Sequence, residues 1–212
     1  MTPGLTIDDI LADGAPPVVA ILRGVTPDAV VGIGEALVAA GIRLIEVPLN
    51  SPDPIEGIRR LVDAMGDRAL CGAGTVLEPA MVDAVAAVGG KLLVTPNVNP
   101  AVISRGVELG MEPMPGFATP TEAFTAVAAG AKRLKLFPAT GFGTGYLKAI
   151  REVLPTGVKA WAVGGTGAGN IGEWLAAGAE GIGVGGALYK AGDDAATVAE
   201  RAKALVEAWK AA

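Results

Sequence analysis

Residues 17–49 read PVVAILRGVTPDAVVGIGEALVAAGIRLIEVPL, and this stretch contains the pattern that decides the fold. Both of its ends are short runs of Val, Ile and Leu, which favour buried β-strands. The segment between them, residues 29–41, has apolar side chains at helical spacing and ends in Gly41, a residue type suited to a left-handed helix C-cap. The stretch therefore predicts a strand, a helix and a second strand parallel to the first.

The same alternation continues on both sides and fills the chain, with a strand-like run about every 20 to 27 residues. The eight runs are PVVAIL, RLIEVPL, ALCGAG, LLVTPN, MEPMPG, RLKLFPA, VKAWAVGG and GIGVGG. Because parallel strands need crossover helices and eight of them can close into a ring, we predict an α/β fold: a single (β/α)8 TIM barrel over residues 1–212. An open doubly wound sheet is the alternative, but no GxGxxG sequence follows the first strand.

Two further helices are predicted at the ends of this repeat. The segment TIDDILADG reads as an extra N-terminal helix capped by Thr6. Residues 195–210, AATVAERAKALVEAWK, read as the closing helix.

Composition restricts the partners and the chemistry. Net charge is −5 and the basic residues are scattered, so we expect no nucleic-acid partner and no membrane surface partner. No apolar run reaches the roughly 18 to 20 residues of a membrane span. The single cysteine, Cys71, excludes an internal disulfide and a cysteine cluster for zinc, and favours a reducing cytoplasm. Histidine is absent, so catalysis must rest on Lys, Glu, Asp, Tyr or Cys, and no metal or cofactor is expected.

Lys135 is the predicted catalytic nucleophile. Side chains of a barrel strand alternate between the interior and the surrounding helices. In RLKLFP, Leu134 and Leu136 suit the helix side, which directs Lys135 inward near the C-terminal end of its strand, where such barrels hold their active sites. A lysine that extends its amine to solvent is the alternative. An amine held among apolar groups has a lowered pKa and can attack a ketone to form a Schiff base.

The same alternation in RLIEVPLN sends Glu46 inward near the end of the second strand. A carboxylate near Lys135 could transfer protons, which is work that histidine cannot do in this chain. Alternatively, Glu46 forms a structural ion pair with Arg23, which ends the adjacent first strand with matching orientation. Both interpretations can hold together, with Arg23 orienting Glu46 or binding a substrate carboxylate.

Further substrate-binding residues are expected where the third and fourth strands end. Thr75 in CGAGTVL and Thr95 in LVTPN have hydroxyl groups that could donate hydrogen bonds to a carboxylate. Thr75 could instead cap a helix beginning near Glu78, and Thr95 could simply end a strand before Pro96. We take Thr75, Thr95 and Pro96 as candidate substrate contacts.

Pairs of glycines follow the last two strands, in AVGGTGAGN and GVGGALY. Glycine lets backbone N–H groups approach an anion closely, and a helix N-terminus would add a favourable dipole. The loops after strands seven and eight commonly form the phosphate site of a barrel. Gly164, Gly165, Gly185 and Gly186 are therefore the predicted phosphate-binding residues, although glycine pairs also occur in ordinary turns.

Taken in order, AILRG, LIEVPLNSP, GAGTVL, VTPN, MPGFATPTEA, RLKLFPA, AVGG and GVGGALY resemble the 2-keto-3-deoxy-6-phosphogluconate aldolase family over nearly the whole chain. The match is closer to the phosphogalactonate branch, which similarly reads EVPLNSP, FP-x-x-x-FG and AVGG. The gluconate branch usually has arginine where this chain has Asn50, and threonine where it has Val163. Val163 is thus a further candidate substrate contact.

The resemblance implies a class I aldolase without a cofactor. Its substrate would be a small phosphorylated keto-deoxy sugar acid, and its products pyruvate and glyceraldehyde 3-phosphate. Lys135 would form the imine, Glu46 would transfer protons, and Arg23 and Thr75 would hold the pyruvyl end. The resemblance also implies a homotrimer. Two alternatives stay open: a phosphosugar isomerase in which Glu46 is the base, and a phosphosugar-binding module without turnover.

Overall fold

The computed structural model describes residues 5–212, and its strands form one sheet in which every pairing is parallel. The strands are β1 Val18–Ile21, β2 Leu44–Pro48, β3 Leu70–Gly74, β4 Leu92–Val94, β5 Glu112–Met114, β6 Gly116–Phe117, β7 Arg133–Leu136, β8 Lys159–Val163 and β9 Gly181–Val184. The helices are α1 Ile7–Ala12, α2 Val30–Ala39, α3 Pro54–Met65, α4 Pro79–Ala87, α5 Pro100–Glu108, α6 Pro120–Ala128, α7 Ala139–Phe142, α8 Thr144–Val153, α9 Ile171–Ala176 and α10 Ala195–Lys210.

The predicted barrel is confirmed, with one difference in its fifth strand. The run MEPMPG forms two short strands, β5 and β6, separated by Pro115. Proline has no N–H to donate to the ladder, so regular pairing is interrupted there. β5 pairs with β4 and β6 pairs with β7, and the Pro115 carbonyl accepts a hydrogen bond from Lys135 N at 2.8 Å. The interrupted strand thereby joins the two ends of the sheet.

Buried apolar side chains form two layers. The outer layer lies between strands and helices and includes Leu134, Leu136, Ile45 and Val47. The inner layer fills the barrel from the opposite face of the strands; its strand members are Val19, Ile21, Leu44, Leu70, Leu92, Val94, Met114, Trp161 and Val163. Lys135 and Glu46 lie between outer-layer residues, so their side chains enter the interior.

The N-terminal helix closes one end of the barrel. Thr6 caps α1 in a capping box with Asp9, as predicted, and Ile7 and Ile10 pack into the inner layer with no exposed surface. At the same end Arg133, which starts β7 and is 4 % exposed, forms ion pairs with Asp8 of α1 and with Glu180. This end of the barrel is therefore packed shut, and the opposite end holds the open loops.

Glycines follow helices α2 and α6 and adopt the left-handed backbone conformation expected of a helix C-cap. Gly41 follows α2 with a φ of 99°, and Gly130 follows α6 with a φ of 104°. Both angles lie in the left-handed region that favours glycine. The closing helix α10 occupies the predicted residues 195–210. Across residues 5–212, every helix is too short or too polar to cross a bilayer.

Candidate active site

Lys135 lies inside the barrel, two residues before the C-terminal loop of β7. Its residue is only 6 % exposed, and its neighbours Leu134 and Leu136 are fully buried in the outer layer. The Nζ atom lies 4.8 Å from the centroid of the Phe137 ring, which partly covers it from solvent. The amine therefore sits at the open end of the barrel, in contact with an apolar face and largely out of water.

Glu46 enters the same interior from β2. It is 3 % exposed, and its Oε2 atom is buried without a hydrogen-bond partner among residues 5–212. The carboxylate fits because the adjacent strand has a glycine: a methyl group on Gly74 would lie 1.9 Å from Oε2. A buried carboxylate oxygen without a partner is costly. A buried carboxylate without a partner is therefore more typical of a catalytic group than of a structural one.

Burial brings the pKa values of these two groups close together. Burial raises the pKa of Glu46 to about 7, against the opposing effect of the positive charges of Lys135 and Arg23. Burial lowers the pKa of Lys135 to about 8, opposed by the charge of Glu46 and assisted by that of Arg23. Both groups therefore change protonation state near neutral pH, and a fraction of the amine is neutral there.

Arg23 lies at the mouth of the barrel and is exposed. The alternative of a structural ion pair with Glu46 is wrong: Arg23 Nη1 instead donates to Asn50 Oδ1 at 2.6 Å. Beside it, the Gly24 N–H donates to Ser51 Oγ at 2.9 Å, so the loop after β2 holds the loop after β1 at two points. The guanidinium stays near enough to influence both buried groups, and it is free on one side to meet an anionic ligand.

The two threonines occupy different surroundings. Thr75 is partly exposed with a φ of 59°, and the side chain does not cap α4, whose N-cap is Glu78 without a side-chain bond. The capping alternative is therefore wrong. Thr95 is buried and its hydroxyl donates to the Asn97 carbonyl, so that proton is already used within the turn that contains Pro96.

A cavity of about 430 Å³ opens at this end of the barrel. Its lining includes Arg23, Val163 and both predicted glycine pairs; the full set is Ile21, Arg23, Phe137, Val163, Gly164, Gly165, Thr166, Gly183, Gly185, Gly186 and Ala187. Five lining residues were not among the predicted contacts: Ile21, Phe137, Thr166, Gly183 and Ala187. Phe137 directly follows the LKL of β7, and that position was the only available signal for it.

The loops after β8 and β9 can bind an anion through backbone N–H groups, but neither glycine pair lies at the N-terminus of a helix. Helix α9 begins at Ile171, and no described helix begins between Gly186 and α10 at Ala195, so the expected helix dipole behind each pair is wrong. Within residues 5–212, the N–H groups of Gly165, Thr166, Gly186 and Ala187 form no hydrogen bond. Unpartnered N–H groups on residues that line a cavity are suited to bind an anion.

Comparison with known proteins places these features in one family. The family model described as "Aldolase: KDPG and KHG aldolase" matches residues 7–201. A 2-dehydro-3-deoxy-6-phosphogalactonate aldolase of Escherichia coli (strain K12) is 48% identical, covering 92% of this chain and 96% of that protein.

Solved structures agree with the sequence comparison. One described as "Native KDPGal structure" has a TM-score of 0.90 and 48% identity, covering 92% of this chain and 95% of that one. A KDPG aldolase from Legionella pneumophila, solved with pyruvate captured as a covalent carbinolamine intermediate, has a TM-score of 0.80 and 27% identity and covers 98% of both chains. The chain therefore belongs to the KDPG and KHG aldolase family and is a carbon–carbon lyase.

Proposed function

We propose that this protein is a class I aldolase that cleaves 2-dehydro-3-deoxy-6-phosphogalactonate to pyruvate and D-glyceraldehyde 3-phosphate through a Schiff base on Lys135. One observation carries the proposal: a buried amine with a pKa lowered to about 8 and a buried carboxyl group with a pKa raised to about 7 enter the same barrel interior, and the Phe137 ring next to the amine lines an open cavity. The 48% identity to a phosphogalactonate aldolase supports the same substrate.

The first half of the reaction is formation of the imine. Neutral Lys135 Nζ attacks the C2 carbonyl carbon of the substrate, and the carbonyl oxygen takes a proton to give a carbinolamine. Loss of water, with protonation of the leaving hydroxyl by Glu46, gives a protonated imine. The Legionella relative with a trapped carbinolamine supports this route.

The second half is carbon–carbon cleavage. A base removes the proton of the C4 hydroxyl, the C3–C4 bond breaks, and its electron pair moves to C3 as the imine becomes an enamine. The aldehyde leaves, C3 takes a proton, and water hydrolyses the imine to release pyruvate and the free amine. Glu46 would accept and return these protons, either directly or through water, and its pKa near neutrality supports this role.

Residues in and around the cavity would hold the two charged ends of the substrate. Arg23 and Thr75 would bind the pyruvyl carboxylate, with Thr95 and Pro96 shaping that side. Gly164, Gly165, Gly185 and Gly186 would surround the phosphate with backbone N–H groups. All four glycines line the cavity, as does Arg23.

The direct test is intact mass after sodium borohydride reduction in the presence of pyruvate. We expect an adduct of pyruvate on the wild-type chain and none on Lys135→Ala. An adduct that persists on Lys135→Ala places the imine on another amine. No adduct on either chain refutes the Schiff-base mechanism and favours the isomerase alternative, in which Glu46 is the base, Lys135 is only an electrostatic anchor and no covalent intermediate forms.

Preference between the C4 epimers needs its own measurement. Val163 lines the cavity and is buried to 5 % exposure, and an apolar side chain there offers no hydrogen bond to a substrate hydroxyl. We expect wild type to favour the galactonate epimer in kcat/KM, and Val163→Thr to shift the ratio toward the gluconate epimer by about 10-fold. A ratio that Val163→Thr leaves unchanged would exclude this position as the determinant.

We also propose a homotrimer in the cytoplasm. Phe124, Phe142 and Val153 lie on α6, α7 and α8 and are 44%, 40% and 56% exposed, and we propose that another subunit covers them. Cys71 is a buried free thiol, consistent with a reducing compartment. Light scattering during size-exclusion chromatography would give three times the chain mass of 21.1 kDa if the trimer forms.

A further inference from the structure

Two side chains outside the cavity hold the loop between Gly164 and Gly167 in an unusual conformation. Gly164 and Gly165 have successive positive φ angles of 101° and 75°. The Gly164 carbonyl accepts two hydrogen bonds from Thr140, from its N–H at 3.2 Å and from its Oγ1 at 3.1 Å. The Gly165 carbonyl accepts a hydrogen bond from Asn170 Nδ2 at 3.0 Å.

These hydrogen bonds fix the direction of two peptide groups. In a trans peptide the carbonyl and the following N–H point in opposite directions. Thr140 and Asn170 do not line the cavity, whereas Gly164, Gly165 and Thr166 do. Drawing the carbonyls of Gly164 and Gly165 toward Thr140 and Asn170 therefore turns the N–H groups of Gly165 and Thr166 toward the cavity.

Asn170 also closes the loop at its far end. Its Oδ1 atom accepts a hydrogen bond from the Gly167 N–H at 3.0 Å, while its Nδ2 binds the Gly165 carbonyl. One amide group thus spans the two sides of the loop, which a carboxylate or an alkyl side chain cannot do. On the other side a methyl group on Gly165 would lie 2.6 Å from Thr140 Oγ1, so Thr140 packs directly on the glycine backbone.

We propose that Thr140 and Asn170 are positioning residues for the phosphate group of the substrate: they hold the Gly164 and Gly165 carbonyls away from the cavity and thereby preorganise the N–H groups of Gly165 and Thr166 for an anion. This inference rests on the proposed function. Neither side chain needs to contact the substrate, because each acts through the backbone of the loop. Without them an alternative peptide orientation would present a carbonyl oxygen to the phosphate and repel it.

The test compares a reaction that needs the phosphate with one that does not. The first is cleavage of the phosphorylated substrate, measured as KM and kcat. The second is exchange of the methyl protons of pyruvate for deuterium, followed by proton NMR, which needs only the imine and a base. The variants are Thr140→Val and Asn170→Ala, with Thr140→Ser as the conservative variant that retains the hydroxyl and Thr125→Val as a matched change on the exposed face of α6.

We expect each of the two variants to raise KM for the phosphorylated substrate about 3- to 10-fold, which is the effect of one lost orienting hydrogen bond. Pyruvate exchange should stay within about twofold of wild type. Thr140→Ser and Thr125→Val should keep the wild-type KM. A KM that stays unchanged in both variants, or exchange that falls in parallel with cleavage, would overturn the proposal.

The same measurements separate this inference from the function on which it rests. Wild type that neither exchanges pyruvate protons nor cleaves the sugar acid would refute the proposed function itself. Wild type that does both, with variants that fail to distinguish the two reactions, would refute only the positioning role. Thermal unfolding checks the fold of each variant, and Thr140→Val alone decides the matter if Asn170→Ala does not fold.

Discussion

Replacing Glu46 with glutamine should stabilise the protein and inactivate it. The carboxylate of Glu46 is 3 % exposed, its Oε2 atom has no hydrogen-bond partner among residues 5–212, and burial raises its pKa from 4.5 to about 7. The pKa of Glu46 is higher in the folded protein than in the unfolded chain. The contribution of protonated Glu46 to the free energy of unfolding is therefore fully present below pH 4.5 and is lost as pH rises through 7. The isosteric amide has no charge to bury.

The size of the effect follows from the pKa values. A difference of about 2.5 pKa units corresponds to about 3 kcal/mol. The free energy of unfolding of Glu46→Gln minus that of wild type should therefore increase by about 3 kcal/mol between pH 4.5 and pH 8.

The assay is urea denaturation of both proteins at pH 4.5 and pH 8, at equal protein concentration. Taking the difference between the two proteins removes the contributions of other carboxylates, which titrate equally in both. In parallel, kcat for cleavage should fall by about 100- to 10,000-fold, the usual contribution of a positioned acid–base group. A stability difference that is the same at both pH values would refute the burial argument, and retained turnover would refute the proton-transfer role.

Three further perturbations test other parts of the site. With the pKa of Lys135 at about 8, roughly one amine in ten is neutral at pH 7, against about one in 3,000 at the ordinary pKa of 10.5. The rate of adduct formation with pyruvate should therefore rise about tenfold per pH unit up to pH 8 and then become constant. A rate that keeps rising to pH 10 contradicts the lowered pKa. Gly74→Ala should reduce kcat at least 100-fold, because its methyl group would lie 1.9 Å from Glu46 Oε2, and the crystal structure of the variant should show the carboxylate displaced. Arg133→Met should lower the free energy of unfolding by about 3 kcal/mol, because it removes the cation that pairs with Glu180 and leaves that carboxylate the hydrogen bond from Trp161 Nε1. Adduct formation should stay near the wild-type rate because Arg133 lies at the closed end of the barrel, and equal losses of stability and adduct formation would show that the two ends are coupled.

The elements of the barrel could be predicted because their signals are local. Strand runs, helical spacing and glycine C-caps each depend on a few neighbouring residues, and the closing helix was predicted to the residue. The break at Pro115 was not predicted: the sequence favours one strand for MEPMPG, and a proline alone does not mark a break, since Pro113 lies within β5. Local alternation sufficed to turn Lys135 and Glu46 toward the interior.

What the sequence by itself determined was the type of barrel, the inward direction of Lys135 and Glu46, and the place of the glycine pairs, since each follows from short-range backbone geometry. Only the tertiary structure decided that Arg23 donates a hydrogen bond to Asn50 and does not pair with Glu46. The same holds for the hydrogen bond from the Thr95 hydroxyl to the Asn97 carbonyl, and for those from Thr140 and Asn170 to the glycine loop. The contacts within residues 95–97 and 165–170 are local, and they depend on side-chain rotamers that the sequence does not specify. The contacts of Arg23 with Asn50 and of Thr140 with Gly164 join loops 27 and 24 residues apart, which the closed sheet brings together. The pKa values of the buried pair have the same origin, because burial at the open end of a closed ring is a property of the whole fold.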